Sequence, residues 1–470
     1  MSAPAVTDRL LVGITLLAGA IILAALVFSP APFLHDYAEW VYQSKILALK
    51  AADPAEVRGF VLHAYPVPYM LVQYSLAVLH LAVPPFLAAK LFIIAYLAGS
   101  GLVCWAFVRR FVAPPERRPV AWVLLACIAG TSSYFWYGFI GYQVAMLIFA
   151  GFLTLYRASS SAWLVVLFSV LAFFAHATIL MQVGLLVGLA VLFCRFPRTH
   201  LLGLLPAGLL SLWFLWGRHQ SGTVMTPADA EFTGLLEAAI YKSGILTMQG
   251  PFKNFLLLDG SALLEAMPAI YWLGVAANLI VVAALGLLFC AALLRIARGG
   301  LPPADEGTRL LWLFATCAVM VYIIAPFNFF GIVHPGGRMI LPFLFTGVAL
   351  LYARGLYVPR ALSALCSAGT LCTALAYLLT VSSVDSLADA AESARSKARP
   401  QATRSVLAAD EARYQDTRYS YYNYRIFAFA NRYAQLQREE YQGMSFATGP
   451  ISHYDRQLQH GADPVRDGGR

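Results

Sequence analysis

The chain has 470 residues, 60% of them hydrophobic and only 12% charged, with a formal net charge of +9 at pH 7. That balance, with a mean hydropathy of +0.68, excludes a water-soluble globular protein and reads as an all-α polytopic membrane protein. The Lys and Arg residues fall as small clusters between apolar runs, so the positive excess encodes topology and no nucleic-acid partner is expected.

Leu10 to Phe28 is long enough for one bilayer crossing and too long for a signal-peptide core, so it reads as a retained first helix running from the cytoplasm outward. A first outer loop, residues 30–84, follows. It carries His35-Asp36-Tyr37-Ala38-Glu39-Trp40 and then HAYPVPY, His63 to Tyr69. Asp36 to Lys50 has helical spacing, with Trp40, Ile46 and Leu47 on an apolar side and Glu39, Gln43 and Lys50 on a polar one, which predicts a helix lying in the interface plane. Tyr69 to Val83 reads as a second juxtamembrane or re-entrant helix. Counted as a crossing, it would leave Arg109, Arg110, Arg117 and Arg118 outside, against the positive-inside rule.

The remaining predicted crossings are Pro85 to Phe107, Val120 to Tyr137, Ile140 to Tyr156, Trp163 to Gln182, Val183 to Phe196, Leu201 to Trp216, Ala269 to Ile296, Leu310 to Phe329, Met339 to Tyr352 and Ala361 to Val381. The total is about eleven transmembrane helices, N-terminus cytoplasmic, with a second large outer loop at 217–268. Residues 1–381 form this transmembrane domain. Residues 382–470 are dense in charge and tyrosine and predict a small helical extracytoplasmic domain, with helices over Leu387–Lys397, Thr403–Tyr414 and Arg425–Glu440 and a disordered end. The seven cysteines lie in or beside apolar runs without metal-ligand spacing, so neither a structural disulfide nor zinc is expected.

Asp36 can cap the helix that starts there or act as a general base in a partly desolvated cleft, and the two roles are compatible. Glu39, one turn on, can orient a substrate or be solvated. His35, Tyr37, His63 and His176 are candidates to line the cleft; a histidine in an apolar run, as in FFAHATIL, serves equally as a satisfied polar residue between helices. His334-Pro335-Gly336-Gly337-Arg338 follows an apolar run on the outer side. Its glycines permit close backbone approach and Arg338 can fork two hydrogen bonds onto a phosphate, or snorkel to the interface. Lys90 and Lys242 are either phosphate contacts or interface anchors.

The order of these features, with an acid just past the first crossing, two juxtamembrane helices, the proline-bearing Pro66-Val67-Pro68 and a helix ending in Arg109-Arg110, resembles the GT-C class of membrane glycosyltransferases. The resemblance implies a polyprenyl-phosphate-linked sugar donor, a glycan or lipid acceptor, Asp36 as the catalytic acid of the first outer loop with Glu39 as a second acid, and Arg338, His334 and Lys90 at the donor phosphate. The family often has two adjacent acids, whereas Tyr37 follows Asp36 here. It implies an inverting hexosyl- or pentosyltransferase of a bacterial-type inner membrane, with no resident metal demanded and a divalent ion between Asp36 and the phosphate compatible with it. A transporter or lipid flippase would call for ionisable groups or broken helices at mid-membrane, which are few here. A non-catalytic partner of an envelope complex, docked through the C-terminal segment, is the third reading.

Overall fold

The computed structural model describes residues 3–29, 32, 34, 36–130, 132–136, 138–220, 234–247, 268–298, 305–326, 328–329, 332–333, 335–353, 358–382, 436 and 451–454. His35, His334 and, apart from Leu436, the helices expected between 387 and 440 lie outside the described residues.

The elements in chain order are α1 (Ala3–Phe28), α2 (Tyr37–Ala52), β1 (Phe60–Leu62), α3 (Met70–His80), α4 (Pro85–Phe111), α5 (Arg118–Gly130), α6 (Ser133–Trp136), α7 (Ile140–Leu155), α8 (Ala162–Ala175), α9 (Ala177–Phe193), α10 (Thr199–Leu202), α11 (Leu205–Gln220), α12 (Leu235–Thr247), α13 (Pro268–Arg298), α14 (Glu306–Ile324), β2 (Asn328–Phe329), β3 (Ile332–Val333), α15 (Ile340–Ala353), α16 (Arg360–Ser382) and β4 (Ile451–Tyr454). Among the described residues seven helical segments are long and apolar enough to cross a membrane: Thr7–Phe28, Pro85–Phe111, Pro115–Trp136, Thr199–Gln220, Pro268–Leu294, Glu306–Ile324 and Arg360–Leu379. Met70–His80, Ile140–Leu155, Ala162–Ala175, Ala177–Phe193 and Gly337–Ala353 are shorter apolar helices. Helices satisfy their own backbone polar groups, which is what so apolar a chain needs in lipid.

The bundle closes around α15, whose residues from Ile340 to Tyr352 are all buried. A helix apolar on every side is stable in lipid or among other helices, and α15 is enclosed by α14, α13, α4, α7 and α5. α16 lies along α13, α1 and α5. α8 and α9 meet at His176, not at the Gln182–Val183 boundary expected from the sequence. His176 is extended (φ −168°, ψ 125°), and its Nδ1 accepts from the Thr178 backbone N–H at 3.3 Å, so it caps α9 and breaks the apolar run.

The segment between α1 and α4 builds its own core. α2 and α3 pack on each other, and Tyr37, Val41, Tyr42 and Leu76 join Ile22 and Leu26 of α1 and Tyr377 of α16 in one apolar cluster. This corrects the expected interfacial helix, because Glu39 and Gln43, placed on a polar side, are 0% exposed. Enclosed by apolar helices, they form an i, i+4 pair, Gln43 Nε2 donating to Glu39 Oε1 at 3.2 Å.

Two short sheets accompany the helices. β1 pairs antiparallel with β4, Phe60 opposite Tyr454 and Leu62 opposite Ile451, so a segment near the end of the chain is clamped to the stretch between α2 and α3. β2 and β3 form a small antiparallel pair just before Pro335.

Candidate functional site

Arg338 sits in a 3-10 turn, Gly337–Met339, that leads directly into the N-terminus of α15. Its carbonyl is held from two sides, accepting from the Tyr142 hydroxyl at 2.7 Å and from Gln182 Nε2 at 3.2 Å. With the backbone fixed, the guanidinium lies among three rings, its carbon 4.8 Å from the centre of Tyr134, 4.6 Å from Phe139 and 4.9 Å from Tyr142. Such faces stabilise a cation without neutralising it. Nε and Nη1 of Arg338 are buried and have no hydrogen-bond partner among the described residues, which is costly for charged donors unless a ligand meets them.

Two more cations come to this end of the bundle. Gly336 lies against Lys242 of α12: a Cβ placed there would be 3.2 Å from Lys242 Nζ and 3.0 Å from the Tyr322 carbonyl oxygen. Lys242 Nζ donates to the Ala325 carbonyl and sits 5.6 Å from the ring centres of Tyr241 and Tyr322. Burial lowers its pKa to about 8. Arg218, near the end of α11, lies 5.9 Å from the Phe214 ring.

HAYPVPY bridges these groups. His63 and Tyr65 are 4.7 Å apart, Tyr65 is 6.1 Å from Phe214, and its ring occupies the space a Cβ would need at Gly217. Tyr69 takes a left-handed backbone (φ 80°), a strained state for a non-glycine residue. Burial pushes its phenol up to about 12, while the Arg338 and Arg218 charges pull the other way. Tyr69 meets His176 edge-on at 4.5 Å, and His176 meets Tyr142 at 5.2 Å, closing the circuit back to Arg338.

The acid comes to the α6–α7 turn through its backbone. Asp36 is 8% exposed and occupies the N-cap position of α2, yet its side chain makes no cap bond to that helix. Its backbone is pressed against Gly138 (φ +70°), where a Cβ would fall 2.6 Å from Asp36 N and 2.5 Å from Tyr37 N. Only glycine fits there. The next residue, Phe139, is the ring nearest the Arg338 guanidinium. The turn is pinned from behind by the Tyr96 hydroxyl, which donates to the Ala129 carbonyl at 2.7 Å and lies 2.9 Å from the Gln143 amide, itself bonded to Ser132.

No family model, no curated protein and no solved structure matches this chain.

Of the residues singled out from the sequence, Asp36, His63, His176, Lys242 and Arg338 reach the α6–α7 turn or the tyrosines around it. Tyr37 is fully buried, its hydroxyl donating to the Ala89 carbonyl at 2.9 Å, so it fastens α2 to α4 rather than lining an open cleft. Lys90 Nζ donates to the Val27 carbonyl at 3.0 Å and ties off the last turn of α1. Arg218, Tyr69, Phe139, Tyr142 and Gln182 were not singled out. Arg218 stands at the outer end of a predicted crossing, against the charge bias, and the argument applied to Arg338 finds it too. Among the described residues no group of three or more His, Cys, Asp or Glu side chains could hold a metal ion.

Proposed function

We propose that the chain is a membrane glycosyltransferase that moves a sugar from a polyprenyl-phosphate donor to an acceptor hydroxyl on the outer face. The observation that carries the reading is Arg338: a caged guanidinium with two buried N–H groups that have no partner among the described residues, one of its cage rings, Phe139, following the glycine on which the backbone of Asp36 packs. Arg338 stands at the N-terminus of α15, and Lys242 lies against Gly336 two residues before it, a positive setting that favours a phosphate. Tyr69, Tyr142 and His176 offer ring surface for the sugar.

In this reading Asp36 takes the acceptor proton as the acceptor oxygen attacks the anomeric carbon from the side opposite the phosphate, and the configuration inverts. Arg338 offsets the charge that grows on the departing phosphate, stabilising the transition state more than the ground state. Glu39, buried against Gln43, positions α2 and does not meet substrate. The four apolar helices α7, α8, α9 and α15 complete about eleven crossings with the seven longer ones, the N-terminus cytoplasmic and the first outer loop extracytoplasmic.

Binding of polyprenyl phosphate to the purified full chain tests the phosphate site. Arg338→Gln weakens it by about tenfold or more, the loss expected for one charge-assisted hydrogen bond. Unchanged affinity contradicts the assignment.

A further inference from the structure

At the end of α1 remote from Asp36, a lateral groove of 1270 Å³ runs between α1, α4 and α5. α1 packs closely on α16 and α5 and only sparsely on α4, and the gap stays open because the α1 surface is small there: a Cβ at Gly19 would meet nothing within 4 Å. The walls are apolar, formed among others by Leu16, Leu23, Leu97 and Leu102, and Leu16 and Leu102 are 58% and 71% exposed, facing outward from the bundle. Behind the groove, Trp122 Nε1 donates to the Gly101 carbonyl at 2.9 Å and ties α5 to α4.

The mouth is charged. Arg9, Arg117 and Arg360 line it together with Asp8 and Glu116. Asp8 and Arg360 engage each other through two bonds, 2.7 Å and 3.2 Å, and the mouth as a whole sets three arginines against two acids, a positive balance. On α1 the lining extends from Asp8 to Leu23, about 22 Å at 1.5 Å per residue, more than half of the roughly 30 Å hydrocarbon thickness of a bilayer. One leaflet's acyl chain fits that length with its headgroup level with the arginines.

We infer that this groove holds one anionic phospholipid of the leaflet at the N-terminal end of α1, its acyl chain along Gly19 and Leu23 and its phosphate at Arg9 and Arg117. The occupant is a membrane phospholipid, because the groove opens sideways along its length and its cations stand only at the mouth. The site is independent of the proposed transfer chemistry, since it involves neither Asp36 nor Arg338.

Native mass spectrometry of the purified full chain, titrated with phosphatidylglycerol or with phosphatidylcholine of the same acyl chains, tests it. The wild-type chain retains one phosphatidylglycerol with roughly tenfold or greater preference, as two arginines near a phosphate supply. Arg9→Gln with Arg117→Gln brings the anionic lipid down to the level of the zwitterionic one. Gly19→Leu, which projects into open space and improves helix propensity, fills the groove and weakens retention of both. Equal retention of the two lipids by the wild-type chain, the behaviour of an unspecific lipid annulus, overturns the inference. So does a preference that survives both sets of substitutions, or polyprenyl phosphate held at the mouth when phosphatidylglycerol is not preferred.

Discussion

The cage around Arg338 makes a specific demand on side-chain shape. Three ring faces hold a flat guanidinium, and an ammonium keeps the charge but not the fork. Arg338→Lys therefore binds polyprenyl phosphate with an affinity between wild type and Arg338→Gln; a Lys variant indistinguishable from wild type would mean that point charge alone matters. Lys242 adds a pH dependence. With its pKa lowered to about 8 by burial, it is charged below that value and neutral above, so affinity for the phosphate is steady at neutral pH and falls as pH rises through about 8. Lys242→Arg keeps its charge there and removes the fall, as pH-dependent binding curves would show. Arg338 stood out in the sequence because a cation expected on the outer side defies the prevailing charge bias. Its cage carried no signal, because Tyr134, Phe139 and Tyr142 come from another part of the chain and their local pattern does not point to Arg338.

At the level of elements, the α6–α7 turn connects acid to cation. Gly138→Ala forces a side chain into the Asp36–Tyr37 backbone at a positive φ, costing about 1–3 kcal/mol. It should lower the melting temperature and reduce the transfer rate while polyprenyl phosphate affinity changes little; equal loss of both would place the turn's influence on Arg338 instead. The α2–α3 pair carries a titratable link, His80 Nε2 to Ser44 Oγ at 2.8 Å. Burial, helped by Lys45, depresses His80 to about 4, below the ordinary value near 6.5. Its folded pKa lies below the unfolded one, so its stabilisation is complete above about pH 6.5 and is lost as pH falls toward 4. The melting temperature should drop across that window, and less steeply in His80→Gln. Periodicity located α2 within a residue of its start, yet it misplaced Glu39 and Gln43 in water, since spacing shows which side chains share a face and not what covers it. The pairing of β1 with β4 had no signal at all: three or four residues carry no period, and the partners come from opposite ends of the chain.

For the whole molecule, composition alone was enough to place the chain in a membrane, because 60% hydrophobic residues leave no other solvent for the helices. The spans long enough to cross unaided were readable for the same reason. α7, α8, α9 and α15 are short, and α15 is wholly enclosed, so length and hydropathy do not decide how they sit in the bilayer. Single-cysteine labelling in a cysteine-free background decides it: about eleven crossings require positions near Arg157 and Arg195 to be reached from the cytoplasmic side only, and positions near Gly138 and His176 from the outside only. Labelling of Arg157 and Gly138 neighbours from the same side would remove α7 from the count.

The central claim of the proposed function is that Asp36 performs the proton transfer at a site where Arg338 holds the phosphate. Sugar transfer by purified Asp36→Asn in proteoliposomes, measured beside its affinity for polyprenyl phosphate, tests it most directly. The account predicts that affinity is kept while the rate falls by about 10²- to 10⁴-fold, the usual contribution of a positioned base; transfer at the wild-type rate by a folded Asp36→Asn chain would contradict it.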